Sequence, residues 1–171
     1  MDQLIQGKTD LAVVPWERSY PDLTATPLMR QKLFLVAPPG HPLARAEHIS
    51  PRDLEAHSFV GYHEGMHTRA MIDALFKRMA ISVNYAVESA NAATIKHMVM
   101  VGMGLGFLPE SAVAVEIRRG QLVRLDVPPL IMSQDVTLYL RRNRTLSRAA
   151  VGFVEFLQEY FSPKKRTREA P

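Results

Sequence analysis

The residues His63-Glu64-Gly65-Met66-His67 match the pattern H-E-x-x-H, which is the signature of zinc metalloproteases. In that chemistry two imidazoles on one helical face bind a zinc ion, and the glutamate acts as general base. Gly65 would cost such a helix about 1 kcal/mol relative to alanine, and helical spacing of apolar residues begins only after Thr68. We therefore expect the motif to lie in a loop and Glu88, the one distant candidate for a third ligand, to end a strand. A zinc-dependent hydrolase acting through this motif remains an alternative.

The glycines of Gly102-Met103-Gly104-Leu105-Gly106 resemble a dinucleotide fingerprint, but that fingerprint needs a strand before it and a helix after it. Here the predicted order is helix, glycines, strand. Two interpretations stay open: a tight turn that approaches neighbouring backbone, and a turn that lines a ligand cleft. The chain has no G-x-S-x-G elbow, no P-loop and no cysteine. We expect no cofactor, no bound metal and no enzymatic activity.

Several loops that follow predicted strands carry groups suited to a small anion such as a carboxylate. Helix N-termini at Thr68 and Ser89, together with Arg69, would attract the negative charge. The aromatic residues in these loops could cover an apolar part of the same ligand. The predicted ligand-binding residues are Pro15, Trp16, Tyr62, His63, Met66, Thr68, Arg69, Ser89, Asn91, Gly104 and Phe107. This composition is typical of binding and not of turnover.

The overall composition is that of an ordinary soluble globular protein, with 171 residues, 47% hydrophobic and 22% charged. The apolar runs fall short of the roughly 18–20 residues that a membrane-spanning helix needs. The absence of cysteine agrees with a reducing compartment. We expect a cytoplasmic protein without disulfides that does not associate with a membrane.

The basic charge is concentrated at the C-terminal end. The net charge is +4, and residues 162–171 carry four basic residues against one acidic residue. The rest of the chain is therefore nearly neutral, and it shows no helix-turn-helix, zinc finger or aromatic-basic RNA platform. We expect residues 162–171 to be a basic disordered tail.

Hydrophobic periodicity predicts an alternation of strands and helices. A helix ends at Gly7, and Ser50-Pro51-Arg52-Asp53 starts a short one. Strand, helix and strand at 58–62, 68–79 and 81–87 predict a parallel crossover unit. The remaining predicted strands are 10–14, 24–28, 33–37, 122–127 and 136–140, and the remaining helices are 92–101, 110–119 and 147–161.

A buried strand that ends abruptly in Pro38-Pro39-Gly40-His41-Pro42 carries the main resemblance to a known family. Four further motifs occur with it: Gly7-x-x-Asp10-Leu11-Ala12-Val13, Thr68-Arg69, Gly102-x-Gly104-Leu105-Gly106-Phe107-Leu108-Pro109 and Leu146-Ser147-Arg148-Ala149-Ala150. In this order, from Leu4 to Phe161, the chain resembles the effector-binding domain of LysR-type bacterial transcriptional regulators.

The resemblance implies a two-lobed α/β domain like the type-2 periplasmic binding proteins, with mixed sheets flanked by helices. Lobe I would combine residues 1–39 with 122–161, and lobe II would hold residues 40–121. The domain would be truncated at its N-terminus, lacking the winged helix-turn-helix and the first strand-helix-strand.

The same resemblance implies a function in transcription regulation. A small, anionic organic effector would bind in the cleft between the lobes. The signal would pass through homodimer or homotetramer contacts to DNA bound by the absent winged helices. A stand-alone solute-binding module is the other alternative.

Overall fold

The computed structural model describes residues 1–162, which fall into two units. Unit 1 comprises residues 1–31 and the described residues from 134 on, and unit 2 comprises residues 32–133. The lobe boundaries expected from the sequence lie instead after residues 39 and 121, and that division stays a prediction. The predicted basic disordered tail lies outside the described residues, except for Ser162.

The helices and strands follow one another along the whole described chain. In order they are α1 (Asp2–Ile5), β1 (Leu11–Val14), β2 (Leu23–Ala37), β3 (Ser58–Tyr62), α2 (His67–Arg78), β4 (Asn84–Ser89), α3 (Ala92–Met100), β5 (Gly106–Pro109), α4 (Glu110–Arg118), β6 (Val123–Arg124), β7 (Met132–Arg141) and α5 (Arg148–Tyr160). Short 3-10 helices span Pro42–Arg45, Pro51–Ala56 and Pro128–Leu130. None of the helices within residues 1–162 is long and apolar enough to cross a membrane.

Unit 1 is built on β7, which lies between β1 and the first part of β2. β1 and β7 are antiparallel, with Leu11 opposite Leu140. Strand alternation sends Tyr139 to one face, against Leu4 and Leu23, and Leu138 to the other, against Val154 of α5. Unit 1 therefore has a small core on each face of this sheet.

Unit 2 holds the larger core, which lies around two sets of strands. The second part of β2 pairs antiparallel with β5 and with β6. β3 and β4 pair in parallel and are joined through α2, as the predicted crossover requires. The apolar residues of α2 at helical spacing, among them Ile72, Leu75 and Phe76, pack into this core as expected.

Two of the predicted elements differ in extent from those observed. The pieces 24–28 and 33–37 form one continuous strand, β2, because the polar residues between them include neither glycine nor a further proline to end it. Of the predicted strand 122–127, only Val123–Arg124 form a strand, β6, and one further backbone bond to β2 follows at Leu125. Pro128 and Pro129 follow closely, and proline has no N–H group with which to extend a strand ladder.

Helices α1 to α4 each end in the same backbone turn, whose residue just past the C-cap has a positive φ. This residue is glycine in α1, α3 and α4, whereas in α2 it is Ala80, with a φ of 52°. The N–H of Ala80 donates to the carbonyl of Lys77, and that of Ile81 donates to the carbonyl of Phe76. These two bonds define a Schellman motif, in which glycine is normally favoured.

We predict that Ala80→Gly raises the free energy of unfolding of unit 2 by about 0.5–1 kcal/mol. The left-handed conformation costs alanine about 1–2 kcal/mol, and part of that gain is offset by the extra freedom of glycine in the unfolded chain. Urea denaturation followed by circular dichroism measures the change. Gly120→Ala is the matched control, since Gly120 occupies the same position after α4 with a φ of 67° and open space around it. It should lower stability by a similar amount, and a shift of both variants in the same direction would contradict the explanation.

Candidate ligand-binding site

The carboxyl ends of β3 and β4 bring several of the predicted ligand-binding residues together in unit 2. Tyr62 is paired with Ser89 across the two parallel strands. The N–H of His63 donates to the carbonyl oxygen of Ser89 at 3.3 Å. From this end of the parallel pair, one turn leads from β3 into α2. A second turn, at Asn91, leads from β4 into α3. Tyr62, His63, Ser89 and Asn91 therefore share one end of the parallel pair.

The H-E-x-x-H residues form a turn and not a helix, as the position of Gly65 predicts. Gly65 has a φ of 86°, and the N–H of Met66 donates to the carbonyl oxygen of His63 at 3.2 Å. Only His67 lies in α2, so the two imidazoles do not share a helical face. Within residues 1–162, no three His, Asp or Glu side chains are grouped so that they could hold a metal ion.

Arg69 is the centre of the charged network at this edge. Its Nε donates to both carboxylate oxygens of Asp73, at 3.0 and 2.8 Å, and its Nη1 donates to Glu88 and to the carbonyl oxygen of Tyr62. The guanidinium carbon lies 3.6 Å from the centre of the Tyr85 ring. Two carboxylates thus already balance the charge of Arg69. The residue ties α2 to β3 and β4, and its assignment as a ligand contact stays a prediction.

Burial and hydrogen bonds shift the pKa values of Glu88, Tyr62 and Tyr85 from their ordinary values. The hydrogen bond from Arg69 lowers the pKa of Glu88, which favours the charged form of this carboxylate. The imidazole Nδ1 of His63 lies 3.7 Å from it. Burial raises the pKa of Tyr62 to about 12, which keeps its phenol protonated and able to donate. Burial also raises the pKa of Tyr85, whose hydroxyl donates to Asp73 at 2.8 Å.

The two helices that begin at this edge differ in how their first turns are capped. In α3 the side chain of Asn91 accepts a hydrogen bond from the N–H of Ala93 at 2.8 Å. In α2 the N-cap is Met66, which makes no capping bond through its side chain. Unlike that of α3, the N-cap side chain of α2 therefore accepts no hydrogen bond from its first turn. Thr68, which is buried, places a hydroxyl group in the same turn.

The remaining predicted site residues lie elsewhere. Gly104 approaches Ser58, at the opposite end of β3 from Tyr62. Phe107 is only 3% exposed and packs edge to face against Phe76, 5.9 Å between ring centres. Pro15 and Trp16 follow β1 in unit 1 and are partly buried. Their roles as ligand contacts stay predictions.

Three residues of the charged network, Asp73, Tyr85 and Glu88, are absent from the predicted binding set. Asp73 follows Arg69 by four residues on α2, a spacing that places oppositely charged side chains side by side on a helix. That signal was available in the sequence. Tyr85 and Glu88 reach Arg69 only because β4 lies beside β3, which local spacing does not reveal.

A family model, the LysR substrate binding domain, matches residues 1–162. The chain belongs to this family. Its β3–α2–β4 unit and its long β2 strand are therefore parts of a LysR substrate-binding domain, as the segment Pro38-Pro39-Gly40-His41-Pro42 and the four accompanying motifs indicated. The family consists of transcriptional regulators, so the prediction that the chain is not an enzyme is confirmed.

Curated LysR-type regulators are similar to the chain over most of its length. The HTH-type transcriptional regulator CbbR of Cereibacter sphaeroides is 33% identical over 152 residues, which cover 88% of the chain and 49% of the relative. The transcriptional dual regulator GltC of Bacillus subtilis (strain 168) is 30% identical over 154 residues, which cover 90% of the chain and 51% of the relative. The chain thus spans about half the length of these LysR relatives.

Solved regulatory domains share the fold of the chain. The regulatory domain of Synechocystis PCC6803 CcmR in complex with 2-PG superimposes with a TM-score of 0.83 at 23% identity, covering 95% of the chain and 78% of that domain. The effector binding domain of QuiR in complex with shikimate gives a TM-score of 0.78 at 23% identity, covering 93% of the chain and 75% of that domain. The predicted α/β fold like the type-2 periplasmic binding proteins is confirmed.

Proposed function

We propose that this LysR substrate-binding domain binds a small anionic effector at the start of α2. The observation that carries the proposal is the N-terminus of this twelve-residue helix, which has no side-chain cap and opens beside the carboxyl ends of β3 and β4. A helix N-terminus presents N–H donors and roughly half a positive charge, which together favour a negative ligand group.

The groups around this helix end are donors more than charges. Thr68 lies in the first turn of α2, and Tyr62 and His63 precede that turn at the end of β3, while Arg69 is neutralised by Asp73 and Glu88. Selectivity would therefore come from the geometry of hydrogen bonds, and not from a strong net positive field. A carboxylate or phosphate group fits such donors, and its apolar body would contact the aromatic residues predicted for the site.

Two solved relatives of the same fold support an anionic ligand. CcmR was solved in complex with 2-PG and QuiR in complex with shikimate, which is a carboxylate. Pro15 and Trp16, with Gly104 and Phe107, remain predicted contributors to the ligand site. Their contribution has to be measured separately from that of α2.

On the basis of its family, we also propose how effector binding would regulate transcription. The effector would favour one conformation of the domain through its differential affinity, typically about 1–3 kcal/mol. The change would pass through contacts between identical chains to a winged helix-turn-helix that binds DNA. Such a regulator would work in the cytoplasm.

Titration calorimetry with 2-PG, shikimate and inorganic phosphate tests the site. We predict saturable binding of 2-PG or shikimate that Thr68→Val weakens about ten- to hundredfold, because a hydrogen bond to a charged group contributes about 1.5–3 kcal/mol. Thr68→Ser keeps the hydroxyl and should keep most of the affinity.

Thr145→Val is the matched control, since Thr145 is an exposed threonine of unit 1 and should bind as the unmodified chain does. Nuclear magnetic resonance of the backbone amides locates the site, and the largest shifts should fall on residues 63–69. Absence of binding by all three compounds at 10 mM would argue against the proposal. Equal affinity of Thr68→Val and the unmodified chain would also argue against it.

A further inference from the structure

A cavity of about 190 Å³ lies in unit 2 beside β2, and none of its lining residues is among those named at the start of α2. It forms where the chain leaves β6. The N–H of Leu125 still donates to the carbonyl oxygen of Leu35 at 2.9 Å, but Pro128 begins a 3-10 helix before β7 starts at Met132. Because proline cannot continue a strand ladder, the pairing with β2 ends after Leu125, and the cavity lies between β2 and the segment 126–131.

The floor of this cavity is apolar and its rim is charged. Six buried aliphatic residues form the floor: Leu33, Leu35, Leu125, Val127, Leu130 and Met132. The rim carries two cations, Lys32 and Arg124, against one carboxylate, Asp126. Ile131 stands at the rim with 72% of its surface exposed.

Arg124 is placed to bind an anionic ligand group in addition to the carboxylate of Asp126. Its guanidinium lies over the ring of Phe34, 4.5 Å from the ring centre, and this ring also lines the cavity. Its contact with Asp126 is long, 3.4 Å, and both side chains are exposed, so the pairing is weak. A guanidinium has five N–H donors, and one such contact leaves most of them directed elsewhere.

We propose that this cavity is a second ligand site, which takes a small monocarboxylate with an apolar body. The apolar body would occupy the aliphatic floor beside Phe34, and the carboxylate would contact Arg124 and Lys32 at the rim. An apolar cavity of about 150 Å³ can hold a benzene molecule, so the available volume suits an apolar body of about six carbons. The excess of one positive charge at the rim selects an anion over a neutral or cationic compound of the same length.

The test uses hexanoate as the probe, with 1-hexanol and hexylamine as compounds of the same length and different charge. Amide resonances of the full chain should shift saturably with hexanoate at residues 32–35 and 124–132. Hexanol should bind at least threefold more weakly and hexylamine should not bind. Added salt should weaken hexanoate binding, since the rim charges are exposed.

Two variants isolate the rim charge. Ile131→Glu and Ile131→Gln have nearly the same shape at an exposed position, and the Glu variant should bind hexanoate about three- to tenfold more weakly than the Gln variant. Arg124→Gln should weaken hexanoate binding by a similar factor. Arg52→Gln changes an exposed arginine of unit 2 that does not line the cavity, and it should leave the affinity unchanged.

Three results would overturn the proposal. They are shifts that do not saturate or do not localise to the cavity, equal binding of hexanol and hexanoate, and equal affinity of the two Ile131 variants. None of these results bears on the proposed site at α2. That site is tested separately, by the binding of 2-PG and shikimate and by the amide shifts of residues 63–69.

Discussion

Replacing Phe107 with alanine is expected to lower the free energy of unfolding of unit 2 by about 3–5 kcal/mol. Phe107 lies in β5, opposite Leu35 of β2, and is 3% exposed. Its ring packs edge to face against Phe76 of α2, which in turn packs against Phe59 of β3. Truncation would therefore open a cavity at a point where three elements meet. Hydrogen exchange of the unit 2 amides measures the loss without assuming that both units unfold together.

Phe156→Ala is the matched control for this variant. Phe156 lies on α5, is 57% exposed, and its truncation should change stability by no more than about 0.5 kcal/mol. A cost below about 1 kcal/mol for Phe107→Ala would show that the side chain contributes little to the core. In that case its predicted role as a ligand contact would become the better explanation of its presence in the glycine-rich segment.

Gly104→Ala is expected to destabilise unit 2 by about 2–4 kcal/mol. A Cβ atom at this position would lie 2.6 Å from the carbonyl oxygen of Ser58 and 2.9 Å from its carbonyl carbon. Both atoms belong to the backbone of β3, and the N–H of Leu105 donates to that same oxygen at 2.9 Å. Relief of the clash would therefore pull apart the contact between β3 and the segment entering β5. Overpacking of this kind costs about 1–3 kcal/mol, and the φ of 157° adds a further preference for glycine.

Gly40→Ala is the control for this substitution, because Gly40 has open space around it and no positive φ. It should leave the unfolding midpoint in urea almost unchanged. A Gly104→Ala protein as stable as Gly40→Ala would mean that β3 can move away from the turn without loss. The cleft-lining interpretation of the glycines would then gain support, since the close backbone approach would not be what requires Gly104.

Several features of the site follow from local sequence signals. Gly65 disfavours a helix through the H-E-x-x-H residues, and the structure has a turn there with a positive φ at Gly65. Apolar residues at helical spacing after Thr68 predict α2, which begins at His67. The relation between Arg69 and Asp73 was also readable, since they lie four residues apart on that helix. Each of these signals depends on residues within about one helical turn of each other.

The sequence by itself determined the types and the order of most elements, the proline-rich segment after β2 and, through them, the family. Only the tertiary structure decided that Arg69 has a second carboxylate partner, because Glu88 reaches it from β4 across nineteen residues of chain. The burial of Phe107 and the cavity beside Phe34 and Arg124 likewise depend on strands that pair over long separations. Periodicity reports which face of one element is apolar, but the partner that covers this face is chosen by the packing of the whole unit.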